Sequence, residues 1–245
     1  MIKLIATDMD GTLLNAAHEI SEENINAIKY AQSKGITVVI ATGRAFYEAS
    51  TPMAETDLKV PYICLNGAEV RDESFNIMNT SHLNHELVER IKAILDREDV
   101  YYQVYTNRGI YTEDPTRDLD IYLDIARNAG QQGDVEKIER IGQELSTISS
   151  LAVSSSSRGN LEITHSDAQK GIALETIANQ LHIDLQDVMA LGDNLNDVSM
   201  LERVGYPVAM DNAIPEVKAI AKLVTDTNEH SGVGKAIMKV LTEEK

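Results

Sequence analysis

Asp8 and Asp10 stand one residue apart where a short β-rich run, Lys3–Thr7, comes to its end. Carboxylates at i and i+2 leave a strand on the same side, and the carboxyl ends of strands are where ligands bind in open α/β sheets. Taken alone, acidic residues at a strand end also serve simply to cap a turn. The Gly11-Thr12 that follows permits the chain to fold tightly over the pair. Thr42-Gly43-Arg44 follows a second apolar run, and a hydroxyl beside amides at the start of a helix can bind an anion or merely cap that helix. Gly192-Asp193-Asn194-Leu195-Asn196-Asp197 offers several carboxylate and amide oxygens within a few residues. Such oxygens suit a hard cation or an Asx turn. Lys170 opens a later helical stretch, where an isolated lysine is ordinarily a solvated charge.

The elements that must position these residues alternate. After Lys3–Thr7, Ser21 with Asn24 three residues on reads as a helix start ahead of Ile25, Ile28 and Ala31. Ile36–Ala41 and Val60–Leu65 are apolar runs of the kind that parallel strands covered on both faces require. Near Thr80 the pattern changes. A helix-like Asn84–Arg97 leads to Val100–Thr106 and Ile110–Thr112 around Asn107-Arg108-Gly109, a hairpin signal. Helical stretches follow at about 117–128 and 135–146. Leu151–Ser155 and Asn160–Thr164 then form a second hairpin signal around Arg158-Gly159. From Gln169 the alternation returns through helix 170–181, strand Val188–Leu191, helix 195–204, strand Pro207–Met210, a helix from Ile214, strand Leu223–Thr225 and a terminal helix. The predicted fold is therefore α/β: a doubly wound parallel-sheet core, residues 1–81 and 165–245, with an inserted α+β unit at 82–164.

Composition narrows the partners. The 245 residues carry 22 basic and 39 acidic side chains, a net charge of −17, which repels nucleic acid and anionic membrane surfaces alike. Trp is absent and aromatics are 4%, so stacking on bases is not an expected binding mode. A single cysteine, Cys64, excludes an intramolecular disulfide and fits a reducing compartment. Its apolar neighbours predict a buried, inert thiol. No apolar run approaches the ~18 residues of a membrane span, and the chain opens directly as a strand, so a cytoplasmic protein is expected. A monomer or weak homo-oligomer is expected too.

The order Asp8-x-Asp10-Gly-Thr, Thr42-Gly43-Arg44, Lys170 and Gly192-Asp193-x-x-Asn196-Asp197 resembles the four signature motifs of the haloacid dehalogenase-like (HAD) phosphatase superfamily. The insert resembles the large α+β cap (type IIB) of its Cof-type subfamily. The resemblance covers nearly the whole chain, and it implies a Mg²⁺-dependent phosphatase acting on a small phosphate ester. It makes Asp8 the nucleophile and a metal ligand, and Asp10 the general acid/base, its backbone carbonyl also on the metal. Thr42 with the Met9 and Gly43 amides would hold phosphate oxygens, and Lys170 would neutralise phosphate and nucleophile. Asp193 would bind Mg²⁺, with Asn196 holding phosphate and Asp197 in support. Repulsion between neighbouring carboxylates is expected to raise one pKa, with Asp10 as the group kept protonated.

The cap would choose the leaving group. Arg44, Asn66 and His165, near predicted strand ends, are candidate substrate contacts; Tyr101, Tyr102 and Tyr105 fit packing better than binding. The insert is short beside a Cof-type cap, by ~30–45 residues, and Glu144–Ser150, where helix meets strand without turn residues, is the expected place of a missing segment. A phosphomutase uses the same motifs. A phospho-accepting receiver would be about half as long, and a silent binding protein on this scaffold would not need Asp8, Asp10, Lys170 and Asp193 together.

Overall fold

The computed structural model describes residues 1–106, 109–111, 132–155 and 159–243. Its centre is β1 (Leu4–Thr7), buried throughout and flanked by two parallel neighbours, β2 (Thr37–Ala41) and β10 (Val188–Gly192). The eight-stranded sheet has the order β12-β11-β10-β1-β2-β3-β4-β5. Here β3 is Tyr62–Cys64, β11 Tyr206–Ala209 and β12 Leu223–Val224, all paired in parallel with their core neighbours. Leu4, Ile5, Val39, Ile40, Ile63, Met189 and Leu191 are fully buried, because helices cover both faces of a parallel sheet. The strand order reverses about β1, and a crevice opens at such a point beyond the carboxyl ends.

Helices α1 (Glu22–Ser33) and α2 (Phe46–Met53) connect the first three strands. The Ser21 hydroxyl accepts from the Asn24 amide at 3.2 Å and starts α1 as its sequence predicts. Helices α5 (Lys170–Gln180), α6 (Leu195–Leu201), α7 (Pro215–Ile220) and α8 (Gly232–Glu243) serve the other half. Two strands were not anticipated: β4 (Glu69–Arg71) and β5 (Ile77–Thr80) extend the sheet in antiparallel sense. Both are short, and β5 is exposed along its length, so neither carries the apolar run that marks a core strand.

The insert has a hydrophobic cluster of its own, built from Leu87, Ile91, Leu95, Ile141, Leu145, Ile148 and Leu151. Its described elements are α3 (His85–Arg97), α4 (Gln132–Leu145) and two hairpins. One hairpin pairs β6 (Val104–Thr106) with β7 (Gly109–Tyr111), the other β8 (Leu151–Ser154) with β9 (Glu162–His165). The helix expected at 117–128 lies outside the described residues. The join at 144–150 is continuous: Ser146 N donates to Gly142 O, Thr147 N to Glu144 O and Ile148 N to Leu145 O. Leu145 and Ile148 are buried there, so hydrogen-bonded turns make this corner without glycine or proline. No helix among the described residues is long and apolar enough to cross a membrane.

Candidate active site

β1 delivers Asp8, 4% exposed, to the crevice, and its backbone N donates to Leu191 O on β10 at 3.0 Å. Lys170 reaches the same point from the first turn of α5. Its Nζ donates to Asp8 Oδ1 and to Asp197 Oδ1, both at 2.6 Å, and the lysine is completely buried. A cation at a helix N-terminus opposes the macrodipole, and a buried ammonium is costly unless paired. Two carboxylates supply the compensation. Burial alone would lower the Lys170 pKa, but Asp197 and Asp8 outweigh it and hold the ammonium charged well above its ordinary value.

Asp197 is the hinge of this arrangement. Its Oδ2 accepts from the Asp193 amide at 2.9 Å and the Asn194 amide at 3.1 Å, closing the loop at the head of α6, while Oδ1 faces Lys170. The Asp193 carboxylate accepts from the fully buried Thr12 hydroxyl at 2.8 Å. Gly11 adopts φ +74°, and a Cβ there would overlap the Asp193 carboxylate. That position therefore requires glycine for both conformation and space.

Carboxylate oxygens of Asp8, Asp193 and Asp197 lie within 4.8 Å of one another. Since Lys170 and two amides engage Asp197, the oxygens best placed for a cation are those of Asp8 and Asp193. These hard donors fit Mg²⁺. Burial is the first cause of strain among them. It pushes Asp8 well above the ordinary carboxylate range, with Lys170 opposing and Asp197 and Asp193 reinforcing. Burial, then Asp197, pushes Asp193 up to about 6. The two carboxyls raised in this way both lie inside the crevice. Asp10 is also at the cavity, its carboxylate 45% exposed and held by Arg44. Arg44 Nε donates to Asp10 Oδ2 at 2.7 Å and Nη2 to Oδ1 at 2.5 Å, a two-pronged clamp.

Asp8, Asp10, Gly43, Arg44, Glu48, Tyr105, Glu162, Asn194 and Asn196 line a cavity of about 180 Å³. With ~30 Å³ per water as the yardstick, a phosphate ester with a small leaving group fits. Thr42 and Met9 are fully buried beneath it, and Thr42 Oγ1 accepts from the Arg44 amide at 3.1 Å. The 42–44 turn precedes α2 rather than opening it, since that helix begins at Phe46.

The three candidate substrate contacts separate. Arg44 lines the cavity through its clamp on Asp10. Asn66 is 5% exposed and bonded to Glu162, Ser154 and Asn196, which places it behind the cavity wall. His165 is outside the lining, its Nδ1 accepting from the Asp167 amide at 3.2 Å. Conversely, Tyr105 lines the cavity, whereas Tyr102 packs on the insert's cluster. Sequence reasoning missed Glu48 and Glu162, and named Thr12 and Asn194 only as members of their motifs, without a role of their own. Cys64 is fully buried, and burial pushes its thiol up to about 12, as expected for an inert group.

Crevice, buried lysine and carboxylate cluster define the site of an α/β protein with an insert beside it, and comparisons with known proteins specify the family. A family model described as haloacid dehalogenase-like hydrolase matches residues 5–132 and 122–237. Phosphatase YwpJ of Bacillus subtilis (strain 168) is 33% identical over 98% of this chain and 100% of its own length. The 5-amino-6-(5-phospho-D-ribitylamino)uracil phosphatase YcsE of the same organism is 35% identical over 96% of this chain and 94% of its own. Among solved structures, a haloacid dehalogenase-like hydrolase from B. subtilis superposes with a TM-score of 0.88 at 33% identity, covering 97% of this chain and 99% of that one. The chain belongs to the haloacid dehalogenase-like hydrolase family, in its Cof-type branch. The alignment with YwpJ runs over 285 residues, more than this chain has. The two stretches matched by the family model overlap at 122–132.

Proposed function

We propose that this phosphoric monoester hydrolase transfers the phosphoryl group of a small metabolite to the Asp8 carboxylate and then to water. One observation carries the reading: a buried aspartate at the tip of the central strand, 2.6 Å from a fully buried lysine, at the wall of a cavity sized for a phosphate ester. Phosphate-monoester hydrolysis is among the slowest uncatalysed reactions, with accelerations up to ~10²¹, so several groups must combine. Asp8 attacks phosphorus, and the ester P–O bond breaks as the aspartyl-phosphate forms; water then cleaves that intermediate. Lys170 offsets repulsion between the incoming dianion and the carboxylate. Asp10, held by Arg44 at the cavity, protonates the departing alkoxide and later takes a proton from the water. The amides of Met9 and Gly43, with Thr42 and Asn196, hold the non-bridging oxygens of the phosphoryl group.

Asp8 and Asp193, with the Asp10 carbonyl, would hold Mg²⁺. When bound, the ion supplies charge stabilisation at the phosphoryl oxygens. In this reading residues 1–81 and 165–245 form the catalytic unit, and 82–164 form a cap whose Tyr105 faces the leaving group. Substrates are sugar phosphates or phosphorylated intermediates of vitamin and flavin pathways. The names of relatives such as YcsE support that class, as does the modest cavity. The test is turnover of p-nitrophenyl phosphate in Mg²⁺. Asp8→Asn should abolish it, EDTA should silence the parent protein, and near-normal turnover by Asp8→Asn would refute the mechanism.

A further inference from the structure

The turn after β3 is the most strained backbone near the site. Leu65, Asn66 and Gly67 take φ +49°, +53° and +105° in succession, and left-handed geometry at a leucine persists only where its surroundings enforce it. Each residue of the turn meets a different part of the site. Leu65 N donates to Arg44 O at 3.0 Å, and Asn66 N to Thr42 O at 3.0 Å. A Cβ on Gly67 would stand 2.6 Å from Gln169 O, so the turn presses against the residue that precedes Lys170. The Asn66 side chain does the rest. Its amide nitrogen donates to Glu162 on β9 at 2.5 Å and lies 3.4 Å from Ser154 Oγ on β8. Its amide oxygen accepts from Asn196 Nδ2 at 3.3 Å.

A side chain 5% exposed thus joins both strands of an insert hairpin to a lining residue in the first turn of α6. We propose that Asn66 is a positioning residue: it fixes Asn196 at the phosphate only while the β8–β9 hairpin is seated on the core. The inference rests on the phosphatase reading above, in which Asn196 holds a phosphate oxygen. The polarity of the chain explains the residue type. Glu162 needs a donor and the Asn196 amide needs an acceptor; asparagine supplies both from one planar group and tolerates left-handed backbone.

That polarity makes the link testable by reversal. Asn66→Asp keeps the shape and the acceptor for Asn196 but sets a carboxylate against Glu162. It should lower kcat on p-nitrophenyl phosphate about tenfold or more, in the range of coupling between contacting polar groups, with KM changed less than about threefold. Adding Glu162→Gln places a donor opposite the new carboxylate and should return kcat to within about threefold of the parent. Amide hydrogen exchange at 151–154 and 162–165 should quicken in N66D and slow again in N66D/E162Q. The proposal is overturned if N66D turns over like the parent, or if the double variant is no faster than N66D. Should N66D not fold, E162A carries the same test from the insert's side, and an unchanged kcat there overturns it. Parent protein that cleaves no phosphate ester would instead defeat the phosphatase reading, and the exchange measurements would still decide whether Asn66 couples hairpin to core.

Discussion

Asp193→Asn should yield a protein that turns over poorly yet, without metal, melts higher than its parent. Asp193 is pushed up to about 6 from an ordinary 3.8, by burial first and by Asp197 second, with the Thr12 hydroxyl opposing. At 1.36 kcal/mol per factor of ten in proton affinity, its ionised form costs the metal-free fold about 3 kcal/mol at neutral pH. Asparagine removes that charge and keeps an oxygen for Thr12, so about 1–3 kcal/mol of stability should return, a melting shift of roughly 3–10 °C for a chain of this size. The sign follows from linkage. A carboxyl whose folded pKa exceeds its unfolded one binds more protons when folded, so the contribution improves as pH falls through about 6 toward about 4 and the cost is full above 6. Melting by circular dichroism in EDTA at pH 5, 6 and 7.5 measures it. The gap between variant and parent should be widest at pH 7.5 and close toward pH 5. Mg²⁺ should raise the parent's melting temperature and leave the variant's nearly unchanged. A variant that melts at or below the parent in EDTA at pH 7.5 refutes the reasoning.

Lys170→Met leaves Asp8 and Asp197 facing each other in a buried site, so it should cost about 3–5 kcal/mol in urea denaturation and abolish turnover. Arg44→Ala releases Asp10, whose carboxylate is 45% exposed. It should therefore change stability by less than about 1 kcal/mol, while kcat falls by roughly 10- to 100-fold through lost positioning of the acid/base; unchanged kcat would show that the clamp is idle. Leu145→Ala, at a fully buried position of the insert's cluster, should cost about 2–5 kcal/mol while Mg²⁺ affinity, measured calorimetrically, stays near the parent's.

What the sequence determined is local. Apolar runs such as Ile36–Ala41 can be buried on both faces only by a parallel sheet, so they set the core strands and left each motif at a strand's carboxyl end. Ser21 and Asn84 start their helices because their side chains accept the orphan amides of the first turn, and this too is settled within four residues. The order of the four motifs specified the family. Tertiary structure decided everything that depends on who meets whom across the chain. Lys170 reaches Asp8 over 162 positions, and no spacing rule reveals that this lysine, unlike a solvated one, is buried between two carboxylates. Burial likewise raises the pKa of Asp8 and Asp193, because desolvation is a property of the packed crevice and not of neighbours in sequence. Asn66 is a conspicuous polar residue at a strand end in the sequence. Only folding, which brings Glu162 and Asn196 to opposite ends of one amide, makes it a link between insert and core.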